Sequence, residues 1–419
     1  MQEERNAAGP AGNALEGTGQ KPLRVAIVHF WFTRLQGGAE RVVDELLALF
    51  PQAEIFALVA EPASLSPEVR RHTMHTSFLD RLPGARRFHR HFLPLMPLAL
   101  EQFDLSGFDL VISSESGPAK GVITPPSCCH ICYCHSPMRY LWDMYPGYVR
   151  TMPPVVRQIF ALTAHFLRLW DLASASRVDH FIANSHFVAA RVRKFYRRES
   201  TVIHPPVLVD AALENAAGRH GDYYLTAGRL IGYKRNDLAI EACNRLGRTL
   251  YVVGDGPELP RLRKLAGPSI RFLGKIGDTQ LRQRMKECRA LLFPGEEDFG
   301  IVPVEAQGFG RPVIAYASGG ALETVRGGYA GEVIQQGSTG LFFREQSADS
   351  LAGAIEWFEQ NESVFEPQKI HAHALRFSAE RFRRELQAFV REALRRHAAE
   401  NAFASADEEP CLPVEISEN

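Results

Sequence analysis

The richest chemistry in this chain lies in FPGEEDFGIVPVEAQGFGRPVIAYASGGALETV, residues 293–325. Glu297 and Glu305 stand there with seven residues between them. On one continuous helix they would lie about 12 Å apart along the axis and about 80° apart around it. Such a pair cannot share a proton, which disfavours a paired-carboxylate hydrolase. Gly300 and Pro303 instead place Glu297 in a loop and Glu305 in the first turn of a helix. The amides of Phe299 to Val302 would then face outward, ready for an anion or for hydroxyls. Each carboxylate could accept from hydroxyls on a different part of a long ligand. Taken singly, Glu305 needs no ligand, because a carboxylate near a helix start is favoured by the dipole.

Two further strings could act with it. In AGRLIGYKR (227–235), Arg229 and Lys234 follow a strand within one short turn. Arg offers a planar fork and Lys a point charge, and together they can hold a diphosphate. As isolated loop cations they would simply be solvated. GDGPELPRL (254–262) is a glycine turn with Pro257 suited to a first helical turn, a weak signal by itself. The string CCHICYCH (128–135) crowds four cysteines with His130 and His135. A zinc site would need these ligands to converge, but successive residues of a strand point to opposite faces. The buried-strand reading is therefore preferred, and no metal is expected.

These residues need elements to carry them. RVAIVHF (24–30) is a continuous apolar run suited to a strand buried on both faces, and QGGAERVVDELLALF (36–50) follows with helical spacing. Strand candidates continue at 53–59, 109–114, 129–134 and 179–185. VIHPPVLVDAALENAAGRHGD (202–222) reads as a linker. A second alternating series then runs through 222–228, 248–254, 269–274, 289–295 and 311–316. The pattern predicts an α/β chain with two doubly wound, Rossmann-like domains and a ligand in the cleft between them. Expected boundaries are 22–205 for the first domain, 206–377 for the second, and 378–400 for a last amphipathic helix. Residues 1–21 and 401–419 read as disordered tails.

Composition narrows the function. The 419 residues carry 48 Lys plus Arg against 48 Asp plus Glu, so no global basic field draws nucleic acid. No apolar run reaches the roughly 18 residues of a membrane span, and residues 1–20 lack a signal-peptide core. Seven cysteines are an odd number, which favours a reducing, cytoplasmic compartment over a disulfide framework.

Glu297-x7-Glu305, preceded by FPG and followed by GRPVIA and GGALETV, resembles the family 4 glycosyltransferases of the GT-B fold. GGAERVV (37–43), Arg229 with Lys234, and GDGPE (254–258) occur in the same order over about residues 24–345. YCHSPMRYLWD (133–143) and residues 93–114 are similar to the bacterial O-antigen and exopolysaccharide mannosyltransferases. The resemblance implies two facing Rossmann-like domains with a last helix crossing back. It implies that Gly37 and Gly38 close over a donor diphosphate and that His135 sits beside the donor sugar. Arg229 and Lys234 would neutralise the departing diphosphate. Glu297 would hold a sugar hydroxyl, with amides lent by Phe299, Gly300 and Ile301. Glu305 would hold the ribose, and Lys275 and Ile276 would meet the base. The implied reaction is retaining transfer of mannose from GDP-mannose without a metal or other cofactor.

The implied acceptor is a polyprenyl-diphosphate-linked glycan at the inner membrane face. RLPGARRFHRHFLPLMPLALEQF (81–103) could contact that membrane peripherally, or be a solvated basic face on a core helix. Tyr140, Trp142 and Tyr145 could line the acceptor cleft or pack in the core. A UDP-sugar donor, a GT-B nucleotide-sugar epimerase using His135 as base, and a binding protein without turnover are the alternatives. A Rossmann dehydrogenase is disfavoured, since no G-x-G-x-x-G follows the first strand.

Overall fold

A computed structural model describes residues 22–33, 37–150, 152–209 and 221–406. The first sheet contains β1 (Val25–Phe32), β2 (Glu54–Ala60), β3 (Met74–Thr76), β4 (Leu110–Glu115), β5 (Cys129–Cys134), β6 (His180–Ala183) and β7 (Ser200–Val202). Their order is β3-β2-β1-β4-β5-β6-β7. The second contains β8 (Tyr224–Ala227), β9 (Leu250–Val253), β10 (Ile270–Gly274), β11 (Ala290–Phe293), β12 (Val313–Tyr316) and β13 (Gly340–Phe343), ordered β10-β9-β8-β11-β12-β13. Every pairing is parallel; Ile27 of β1, for example, faces Ile55 on one side and Ile112 on the other. Helices cover both faces, so the central strands are apolar throughout rather than alternating. This is the expected pair of Rossmann-like domains.

Strand order reverses between β1 and β4 in one sheet, and between β8 and β11 in the other. At such switch points the loops leaving the carboxyl ends part and open a crevice. The helix Gly38–Leu49 buries Val42, Val43, Leu46 and Leu47 at the expected spacing. The last helix, Ala379–Ala406, returns to the first domain. Its Phe382, Leu386, Val390 and Ala393 join the core of Val25, Ile27, Leu46 and Ile131. It runs six residues past the expected end at 400, because NAFASA contains no Gly or Pro to stop it. The other tail residues expected to be disordered, 1–21 and 407–419, lie outside the described residues, as does 210–220 of the linker. Val207 of that linker bridges in parallel to Ser378.

Three strands went unmarked in the sequence: β3, β7 and β13. All three lie at sheet edges. β3 (MHT) and β7 (STV) are three residues long and lack an apolar run. Cys128, Cys129, Cys132 and Cys134 are buried in or beside β5, as the strand reading requires.

Burial holds several imidazoles neutral. It pushes His29 and His135 down to about 3, and His130 and His204 down to about 4. Between those values and the ordinary 6.5, the unfolded chain binds more protons than the folded one, so stability rises with pH there. Glu115, pushed up to about 8 by burial, acts in the opposite sense from about 4.5 to 8. Burial also lowers His180 and His373 and raises Asp44, Glu45 and Asp298, so six histidines stand against four carboxyls. The melting temperature should fall steadily from pH 6.5 to pH 5 in a calorimetric series. A melting temperature that rises over that interval would contradict this burial pattern.

Candidate active site

Both switch points open onto one cleft of about 1040 Å³ between the domains. The twelve residues expected at the donor lie along it: Gly37, Gly38, His135, Arg229, Lys234, Lys275, Ile276, Glu297, Phe299, Gly300, Ile301 and Glu305.

From the first domain, β1 leads to Gly37, the N-cap of helix Gly38–Leu49, whose amide donates to Glu40 Oε2 at 2.9 Å. A Cβ on Gly38 would stand 2.3 Å from Ile301 Cδ1 of the other domain, so a larger residue would have to turn the tip of that side chain aside. His135 follows the last residue of β5. Its amide donates to Glu115 O at 2.7 Å, and its Nε2 lies 2.9 Å from Ser114 Oγ. Ser114 thus fixes the ring. With its pKa near 3, His135 is a neutral hydrogen-bonding group and a poor proton acceptor at physiological pH.

From the second domain, β8 delivers Arg229 and the short 3-10 helix Gly232–Lys234. Arg229 is exposed to the cleft and forms no ion pair with a described residue. Lys234 Nζ lies 2.8 Å from Glu297 Oε1. The GDGPE turn, weak as a sequence signal, has a definite packing reason. Gly254 has φ +129°, and a Cβ there would lie 1.8 Å from Gly228 O. The two loops therefore touch backbone to backbone, which fixes Arg229 at the sheet's mouth. Lys275 and Ile276 follow β10.

The loop after β11 carries Glu297, and Gly300 at φ +89° caps the helix Ile301–Gly308. Glu305 is thus the fifth helical residue, in the second turn rather than the first. The left-handed glycine starts the helix at Ile301, ahead of Pro303, which leaves Glu305 beyond the first turn. No backbone carbonyl accepts from the amides of Phe299, Gly300, Ile301 and Val302 among the described residues.

Several functional contacts were not visible in the sequence. Arg41 Nη1 meets Glu305 Oε1 at 2.5 Å, across 264 residues of chain. Arg139 lies 3.6 Å from Asp298 Oδ2 and Arg191 lies 2.5 Å from Asp298 Oδ1. Burial pushes the Asp298 carboxyl up, and those two guanidiniums pull it back. Glu323 accepts from the amides of His186 and Phe187 at 2.8 Å and 3.0 Å. These links pin the two domains together around the cleft. Arg41 and Arg139 stand inside GGAERVV and YCHSPMRYLWD, so their positions were in view; their partners, on the other domain, were not.

Tyr140, Trp142 and Tyr145 do not line the cleft. They pack on Met138, Leu141, Ala164 and Leu167, and Trp142 Nε1 donates to Asp171. Among the described residues, Cys129, Asp179 and His397 lie close enough together to share a metal. They sit at the amino end of β5, opposite His135, and take no part in the cleft.

Cations, helix amides and two carboxylates are gathered where the switch points of two facing Rossmann-like domains meet, the architecture of the GT-B fold. Residues 36–210 match the family described as Glycosyltransferase Family 4, and residues 215–376 match that described as Glycosyl transferases group 1. The chain is 25% identical to the alpha-1,3/1,6-mannosyltransferase ALG2 of Candida glabrata, over 90% of this chain and 94% of the relative. It is 28% identical to a D-inositol 3-phosphate glycosyltransferase of Mycobacterium tuberculosis, over 53% of this chain and 50% of that one. Anabaena HepE, solved with UDP, superposes with a TM-score of 0.61 at 16% identity, covering 88% of this chain and 100% of that one. The chain belongs to the family 4 glycosyltransferases, and it is a hexosyltransferase.

Proposed function

We propose that the enzyme moves mannose from GDP-mannose to a polyprenyl-diphosphate-linked glycan in cell-surface polysaccharide synthesis, with retention of anomeric configuration. The observation that carries this reading is the convergence of Arg229, Lys234 and the free amides of Phe299 to Ile301 in the interdomain cleft. The full-length similarity to a mannosyltransferase supports the sugar. The solved neighbour with UDP supports a nucleotide-sugar donor in this fold.

The mechanism follows from charge. As the anomeric C–O bond breaks, negative charge grows on the diphosphate and positive charge on the sugar. Arg229 and Lys234 stabilise the first, with the amides at the start of helix Ile301–Gly308. In this reading Lys234 shifts from Glu297 toward the phosphate, and Glu297 accepts from a sugar hydroxyl. The acceptor oxygen attacks the same face the diphosphate leaves, and its proton passes to the departing phosphate oxygen. No strong protein base is required, in keeping with a neutral His135. The same low basicity speaks against the epimerase alternative, which needs a base at a sugar carbon. No Asp-x-Asp pair occurs in the sequence, and two cations stand where a metal would otherwise neutralise the diphosphate.

Purified enzyme should be incubated with a prenyl-diphosphate glycan and, in turn, GDP-mannose and UDP-hexoses, with and without excess EDTA. Mannosyl product from GDP-mannose, unchanged by EDTA, is the expected result. Product from a UDP-sugar alone would overturn the donor. Activity lost in EDTA and restored by magnesium would overturn the metal-free mechanism. Membrane contact on the cytoplasmic face through residues 81–103 belongs to the same proposal. That segment is a chain of short helices, Phe78–Arg81, Ala85–Phe88, His89–Leu95 and Met96–Glu101. No helix among the described residues is long and apolar enough to cross a membrane.

A further inference from the structure

The helix Pro154–Ala175 is apolar on two opposite sides. At about 100° per residue, Val155, Ile159, Leu162, Phe166 and Leu169 fall within about 40° of a single line along it. Their exposures run from 56% to 71%. Ala164, Leu167, Asp171 and Ser174 point roughly the other way and are buried. A helix apolar all round is normally enclosed on every side. Here the inner stripe packs on Met138 and Leu141, while the outer stripe, about 21 Å long, is covered by no described residue. Exposed apolar patches of this extent mark an interaction site.

The surrounding charge identifies the occupant. Residues 81–100 and 144–170 together hold Arg81, Arg86, Arg87, Arg90, Arg150, Arg157 and Arg168, and no Asp or Glu. The two segments adjoin: Leu93 packs on the Leu141–Leu167 cluster, and Trp170 Nε1 donates to Glu101 Oε1 at 2.9 Å. Phe88, Leu95 and Leu98 of the first segment are exposed as well. Arg81, Arg87, Arg90, Arg150 and Arg157 are in no ion pair with a described residue. An apolar stripe flanked by arginines without acids suits an anionic lipid leaflet, with the stripe in the acyl boundary and the guanidiniums among the headgroups. A second copy of this face would bring mainly further arginines against it, because the bordering acids Asp80 and Glu101 are already paired with Arg86 and Arg177.

We infer that the outward stripe of helix Pro154–Ala175 is the principal membrane-docking element, lying in the interface of an anionic leaflet, with segment 81–100 as its basic flank. The inference sharpens the membrane part of the proposed function and rests on it. Docking in this way also orients the cleft. Arg90 is pushed down by partial burial and then by the Arg229 cation, which places the basic flank beside the donor site. A lipid-anchored acceptor would pass from leaflet to cleft along this edge.

The test is co-sedimentation of the full chain with phosphatidylcholine vesicles, with and without phosphatidylglycerol. Wild type should bind the anionic vesicles and weaken with added salt. The double variant Ile159→Glu, Phe166→Glu should bind at least about tenfold more weakly, from the lost apolar burial. Its melting temperature and the stabilisation by GDP should match wild type, which separates loss of docking from misfolding and from failure of the donor reading. Wild type remaining in the supernatant with anionic vesicles would overturn the inference. So would a double variant that binds vesicles undiminished. A wild-type dimer that this variant converts to monomer without altering vesicle binding would assign the stripe to a second copy instead.

Discussion

Arg229→Ala should lower kcat for sugar transfer by about 100- to 1000-fold, the usual effect of removing one preorganised group that stabilises transition-state charge. Arg229 is exposed to the cleft and has no ion pair with a described residue, so its loss strands no buried partner and the fold should be intact. The effect belongs on kcat, because charge on the diphosphate grows as the bond breaks. The donor KM should move far less. Steady-state kinetics with a circular-dichroism melt checks both halves. A kcat within threefold or so of wild type would remove Arg229 from the reaction.

Glu305→Ala should fail differently. A ribose is remote from the reacting carbon, so its contacts bind ground state and transition state alike. Hydrogen bonds to a charged acceptor contribute about 1.5–3 kcal/mol each, and two of them correspond to a loss of at least roughly 100-fold in kcat/KM, mainly through the donor KM. The variant also frees Arg41, which meets Glu305 across the cleft. Arg41→Ala is the control. It should leave Glu305 able to hold the ribose and cost much less than Glu305→Ala. Equal losses in the two variants would mean that Glu305 serves the interdomain ion pair and not the donor.

Much of the fold was legible because parallel strands buried on both faces announce themselves as unbroken apolar runs. VAIVHF and ALLF are examples, each ending in the glycine-rich turns that open the cleft. The edge strands β3 and β7 were not, since a three-residue strand of Met, His, Ser and Thr has no period to read. The cleft residues were legible as strings. Their relations were not: Arg41 with Glu305, and Arg191 with Asp298, join opposite domains, and no local spacing encodes that. Gly300 shows a finer limit. Its left-handed backbone sets the first helical residue, and the place of Glu305 beyond the first turn follows from it. The helix Pro154–Ala175 illustrates the converse. VVRQIFALTAHFLRLW is apolar on nearly all sides, which reads as an enclosed helix. Only the folded chain reveals which side was left uncovered.

The claim on which the rest depends is that the crevice between the two sheets grips a nucleoside diphosphate by its anionic oxygens. A crystal structure with GDP bound tests it directly. The diphosphate should lie against Arg229, Lys234 and the amides of Phe299 to Ile301, with the ribose at Glu305 and the base near Lys275 and Ile276. Density for GDP elsewhere on the molecule, with this crevice holding only solvent, would contradict the account.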